Sequence, residues 1–84
     1  MRKNLFTINA RKKMNKFGLN EKMVLAIIKF GKKTRARDGA VICFIPKKKI
    51  RKSPYLKDLK NTFVVLKGSN IIEVFKNENF KILA

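Results

Sequence analysis

The sequence predicts an α+β protein, with two N-terminal helices packed on a four-stranded antiparallel sheet in the order β-α-α-β-β-β-β. Three observations predict it. The first third carries two apolar stripes at helical spacing, closed by Gly18 and Gly31. The remainder holds β-branched and aromatic runs broken by turn signals at Asp38–Gly39 and Gly68–Ser69. The 84 residues, 45% hydrophobic, suffice for one compact core, so residues 1–84 are read as a single domain. A chain of this size buries only about 60–65% of its unfolded surface, which leaves little room for a second core.

The elements follow in order. NLFTI (residues 4–8) is a short first strand. Thr7 or Asn9 can cap the first helix, because either side chain accepts a hydrogen bond from a free N–H of the first turn. Ala10, Met14 and Phe17 then form one stripe, and Arg11, Lys12, Lys13, Asn15 and Lys16 cover the rest. Asn20 caps the second helix. Met23, Val24, Ile27 and Ile28 are its buried face, widened by Leu25, Ala26 and Phe30, which makes it the more buried of the two. KTRAR (33–37) alternates, Asp38–Gly39 is a hairpin turn, and AVICFIP (40–46) is a β-prone run closed by Pro46, which has no N–H for a ladder. KKKIRKSPYLKDLKN (47–61) reads as a basic loop with one helical turn near Tyr55 to Leu59. Thr62–Leu66 and Ile71–Phe75 are a second hairpin, and ENFKILA (78–84) ends the chain as a short helix or strand docked through Phe80 and Ile82 or Leu83.

Charge is the dominant functional signal. Against 22 Lys and Arg stand 5 Asp and Glu, a net +17. Residues 1–60 hold 19 cations and 3 acids (+16), whereas 61–84 hold 3 and 2 (+1), so the binding surface belongs to the first two thirds. So dense a charge repels itself, and an anionic partner offsets that cost. RNA fits best, with an acidic protein second. An anionic membrane would call for one basic amphipathic helix with bulky anchors, which the sequence lacks. No stretch approaches the roughly 18–20 apolar residues of a membrane span, and the expected location is the cytoplasm. Cys43 is the only cysteine, so no internal disulfide forms, and its place in AVICFI marks it as a buried, inert thiol. With no histidine, neither a metal site nor a cofactor is expected.

The cations concentrate in RARDGAVICFIPKKKIRK (35–52), on both flanks of the apolar run. Arg35 and Arg37 precede it, and Lys47, Lys48, Lys49, Arg51 and Lys52 follow. These seven, with Asn9 and Lys12, are the expected nucleic-acid-binding residues, since loops at sheet ends are the usual place for binding groups. A solvated loop is the plain alternative for any single lysine, and helix capping is the plain alternative for Asn9. Tyr55 can stack on a base, although a lone loop aromatic more often packs. Phe44, Phe63 and Phe75 look interior, against an exposed aromatic RNA-binding sheet. The second helix is too apolar to read a DNA groove.

FTINARKKMNKFGLNEKMVLAII with Gly31, RARDGAVICFIPKKKI and TFVVLKGSNIIEVFKN together resemble domain-of-unknown-function family 4258 over roughly Thr7 to Ile82. That family is grouped by fold with barnase, EndoU, the colicin ribonucleases and the RelE toxins. The resemblance implies a RelE/barnase-like layer, RNA as substrate, and an acidic antitoxin-like partner for a toxin-type protein. Asn9 stands where the family has histidine, Lys13 and Phe17 where it has arginines, and Glu73, Phe75 and Lys76 where it has Thr, Tyr and Arg. Metal-independent cleavage needs a base for the 2′-hydroxyl, an acid for the 5′-oxygen and cations for the phosphorane. Asparagine cannot shuttle protons, so Lys13, Lys48, Glu73 and Lys76 are the remaining catalytic candidates. Two expectations result: an RNA-binding endoribonuclease of low or degenerate activity that uses no histidine, and a non-catalytic nucleic-acid-binding or protein-interaction module.

Overall fold

A computed structural model describes residues 5–76, with Leu5 described by its backbone alone. The expectation for Phe80, Ile82 and Leu83 lies outside the described residues. Strand β1 (Leu5–Phe6) leads into helices α1 (Ile8–Phe17) and α2 (Glu21–Phe30). Strands β2 (Lys32–Arg35) and β3 (Val41–Phe44) follow, then helix α3 (Lys47–Lys52), a 3₁₀ segment Pro54–Leu59, and strands β4 (Thr62–Lys67) and β5 (Asn70–Lys76). The class is α+β, as expected, with an antiparallel four-strand sheet. The element order differs. Apart from the two-residue β1, the two long helices come first and the strands follow, and α3 with the 3₁₀ segment interrupts the strands. The sheet also gains a fifth strand, in the order β1-β5-β4-β3-β2, because β1 joins the edge of β5 in parallel.

Local chemistry explains the ends. Thr7 caps α1, its hydroxyl accepting from the Ala10 N–H at 3.2 Å and donating to the Ile71 carbonyl at 2.8 Å. Gly18 closes α1 with φ 69°, and Asn20 caps α2 by accepting from the Met23 N–H at 2.9 Å. The Asp38–Gly39 turn has φ 58° and 77° at its two residues, the left-handed pair that a tight hairpin needs. Lys33 and Lys49 place their ammonium groups on the carbonyls of Ile28 (3.2 Å) and Phe30 (2.6 Å), where the negative end of the α2 dipole favours cations.

The core lies between the helices and one sheet face. Cys43, Val64 and Val74 form an in-register row that meets Ala10, Met14, Val24 and Ile27 in one buried cluster. An extra residue in β5, Ile72, lets Ile71 and Val74 both point inward although they are three apart. Leu25 and Phe30 were expected to widen the buried face of α2, yet they stay about 40% exposed (41% and 40%), because the helix presents only its Val24–Ile27 side to the sheet. Phe44, Phe63 and Phe75 form the next register row, on the opposite face of the pleat. The Phe44 and Phe63 rings meet tilted at 6.0 Å between centroids, the Phe63 and Phe75 rings stack at 5.1 Å, and Phe63 is buried outside the helix-side cluster.

Cys43 is fully buried, and burial pushes its thiol above the ordinary value, with Lys33 opposing the shift. A raised thiol pKa favours the neutral form in the native state. Its stabilising contribution is therefore complete below the unfolded-state value, about 8.5, and is lost as pH rises through the native value. We expect a thiol reagent at pH 8 to modify Cys43 at the rate of unfolding. Rapid labelling of the native protein would show the thiol to be reachable.

Candidate nucleic-acid interface

The basic segment after β3 is folded, not a loop. Ile45, which is buried, and Pro46 carry the chain off the sheet, and the Pro46 carbonyl accepts from the N–H groups of Lys49 (3.0 Å) and Ile50 (3.2 Å) to start α3. Pro46 suits that place, because the start of a helix needs no donor there. Ile50 packs against the core, and Ser53 and Pro54 redirect the chain into the 3₁₀ segment, anchored by buried Leu56 and Leu59. Lys60 is extended and Asn61 is left-handed (φ 59°), which turns the backbone into β4.

This path brings four cations together. Lys47 and Arg51, one helical turn apart, face Lys57 and Lys60 across a cavity of about 400 Å³ whose remaining lining is Ile50 and Pro54. No acid lines it. Lys60 also lines two adjoining hollows. One, of about 150 Å³, lies between the ends of β3 and β4, and the other, of about 600 Å³, contains Asp58, Asn61 and Lys76. Four like charges around one hollow repel one another, and an anion bound there would relieve this.

The predicted binding residues divide. Lys47 and Arg51 line the groove, whereas Lys48 and Lys52 are exposed on α3 away from its lining. Lys49 is held at the α2 C-terminus by its bond to Phe30. Arg35 and Arg37 are exposed at the other end of β3, since Arg35 pairs with Val41, the first residue of that strand, and α3 begins at Lys47 beyond its last. The seven cations around the apolar run thus form two groups, not one cluster. Lys12 is exposed on α1, and Asn9 neither caps that helix nor is free, since its amide donates to the Ile72 carbonyl at 2.9 Å. Lys57 and Lys60 were missed by sequence reasoning. Their spacing of three is the signal that a helical reading of 54–60 would have used.

The catalytic candidates also fall apart. Lys13 lies 4.0 Å from Glu73, each side chain 36% exposed, and the Glu73 Oε1 atom is buried with no hydrogen bond. Lys76 faces the hollow with Lys60 and Asn61, while Lys48 sits on α3. Among the described residues no three His, Cys, Asp or Glu side chains cluster as a metal site would require, and no helix is long and apolar enough to cross a membrane. Comparison with family models, with curated proteins and with solved structures finds no match for this chain.

Proposed function

We propose that this chain is a basic RNA-binding protein that holds single-stranded RNA by its phosphates, with the α3 groove as the principal contact. The observation that carries the reading is the acid-free convergence of Lys47, Arg51, Lys57 and Lys60 on one cavity. The chain's net charge of +17 supports it, and so does the exposure of Arg35, Arg37, Lys48 and Lys52 as further phosphate contacts. The two helices on one face of an antiparallel sheet are the coarse arrangement that a RelE/barnase-like layer would share. An acidic antitoxin-like protein would engage the same cations.

A second reading rests on Glu73. A carboxylate with one buried oxygen lacking a hydrogen bond, beside Lys13, is a group able to take a 2′-hydroxyl proton and steady the charge that follows. In that reading the protein is a toxin-type endoribonuclease of low activity.

Titrating labelled single-stranded RNA with the protein at low salt tests the first reading, and saturable binding is expected. With no histidine, the affinity should stay level from pH 5 to 7 at fixed ionic strength. Absence of binding, with retained affinity for an acidic polypeptide, would assign the groove to a protein partner. The same RNA followed for strand breaks tests the second reading. Glu73→Gln should abolish any cleavage by the purified protein and leave its affinity within about twofold; cleavage that survives that change belongs to another group.

A further inference from the structure

The smaller hollow beside the phosphate groove has a different character. It is a notch of about 150 Å³ where β3 and β4 part, walled by Phe44, Ile50 and Phe63 and edged by Lys47, Lys60 and Asn61. Lys47 and Lys60 line both this notch and the groove, so a ligand whose phosphates occupy the groove carries its next substituent to the notch. A cavity of about this size takes one six-membered ring, as an engineered cavity of similar volume takes benzene. One pyrimidine ring matches that volume more closely than the two fused rings of a purine.

Asn61 supplies the polar edge. It is half-buried, and its side-chain amide has no hydrogen-bond partner among the described residues. Its backbone is left-handed (φ 59°), a conformation that glycine adopts at lower cost. The turn alone would favour glycine. Asparagine adds one donor pair and one acceptor, the set that reads the edge of a base. Bases in an RNA duplex are stacked face to face and paired along their edges, so only an unpaired, unstacked base can enter such a notch.

We propose that this notch is a nucleobase subsite for one unstacked pyrimidine of single-stranded RNA, with the flanking phosphates on Lys47 and Lys60 and the base edge on the Asn61 amide. The proposal rests on the RNA-binding reading above and goes beyond it by assigning single-strand and pyrimidine preference to named side chains.

Fluorescence anisotropy with short uridylate, adenylate and abasic ribose-phosphate oligomers of equal length tests it, on the wild type and Asn61→Gly. Glycine suits the left-handed turn, which offsets its greater freedom in the unfolded chain, so the variant should melt close to the wild-type temperature. The wild type should bind uridylate about tenfold more tightly than the abasic oligomer, in proportion to one buried base. It should prefer uridylate to adenylate about threefold. Asn61→Gly should lose about fivefold on uridylate, the loss of one or two hydrogen bonds, and less than about twofold on the abasic oligomer. Equal binding of uridylate and abasic oligomers, or an equal effect of Asn61→Gly on both, would overturn the base subsite and leave the phosphate groove standing. Adenylate bound as tightly as uridylate would overturn the single-ring assignment. If no oligomer binds, the RNA reading falls and the subsite with it.

Discussion

Gly31→Ala is expected to destabilise the fold by about 3 kcal/mol, the upper end of what one inserted methyl costs in a tightly packed place. The reason is space and not backbone freedom, since Gly31 has φ −83°, open to any residue. A Cβ there would overlap the Ile27 carbonyl oxygen and lie 2.6 Å from that of Phe44. Both obstacles are main-chain atoms of packed elements, so neither can rotate away. The Ile27 carbonyl already accepts the Gly31 N–H at 2.8 Å, and the carbonyl of Phe44 belongs to the strand paired with β2. Relief would require α2 to move off the sheet. For a domain of this size the loss corresponds to a fall of roughly 12–24 °C in melting temperature. Gly18→Ala is the matched comparison. It has nothing within 4 Å of a new Cβ but a φ of 69°, so it should cost only about 1 kcal/mol of backbone strain. Thermal unfolding followed by circular dichroism ranks the two. If Gly18→Ala proves the more damaging, the close crossing of α2 and β3 is not what the geometry indicates.

The largest effect on binding should come from replacing Lys47, Arg51, Lys57 and Lys60 together by alanine. At low salt each phosphate contact contributes roughly 1 kcal/mol after desolvation, so four lost contacts weaken RNA binding about a thousandfold. Stability should hold or rise, because the change removes mutual repulsion and leaves the anchors Ile50, Leu56 and Leu59 in place. A control with Lys16, Lys22, Lys29 and Lys67 replaced removes the same charge from exposed positions outside the groove, taking +17 to +13. Loss of affinity in the control should stay within about tenfold, through the weaker general field of the protein. Equal losses in both would mean that net charge alone holds the RNA.

Much of the fold was legible where one residue's chemistry decides an outcome. Thr7, Asn20 and Gly18 act at the helix ends, as their side chains or left-handed backbone dictate, and Asp38–Gly39 turns the first hairpin. The α3 helix was not legible. KKKIRK has one apolar residue and crowded like charges, and Pro46 offers no side-chain cap, so local preference argues against a helix. Tertiary contacts form it instead, through Ile50 on the core and Lys49 on the end of α2. That same miss hid the site. A loop gives no reason to set Lys47 beside Arg51 or to join either to Lys57 and Lys60. Conversely, nearness in sequence suggested that Arg35 and Arg37 act with Lys47, although a strand running between them carries the two groups to opposite ends. The β1 pairing rests on two residues and a partner more than sixty positions away, for which the sequence has no local marker.

We expect the α3 groove, more than the protein's charge at large, to carry the phosphate chain. The most direct test is the salt dependence of single-stranded RNA binding for the wild type and the fourfold groove variant, measured side by side. Each phosphate contact on a single strand contributes about 0.7 to the slope of log affinity against log salt. Removing four groove contacts should therefore make that slope shallower by about 3, while the control of equal charge keeps most of the wild-type slope. Parallel lines for the wild type and the groove variant would contradict the claim, because they would show that Lys47, Arg51, Lys57 and Lys60 displace no counterions when RNA binds.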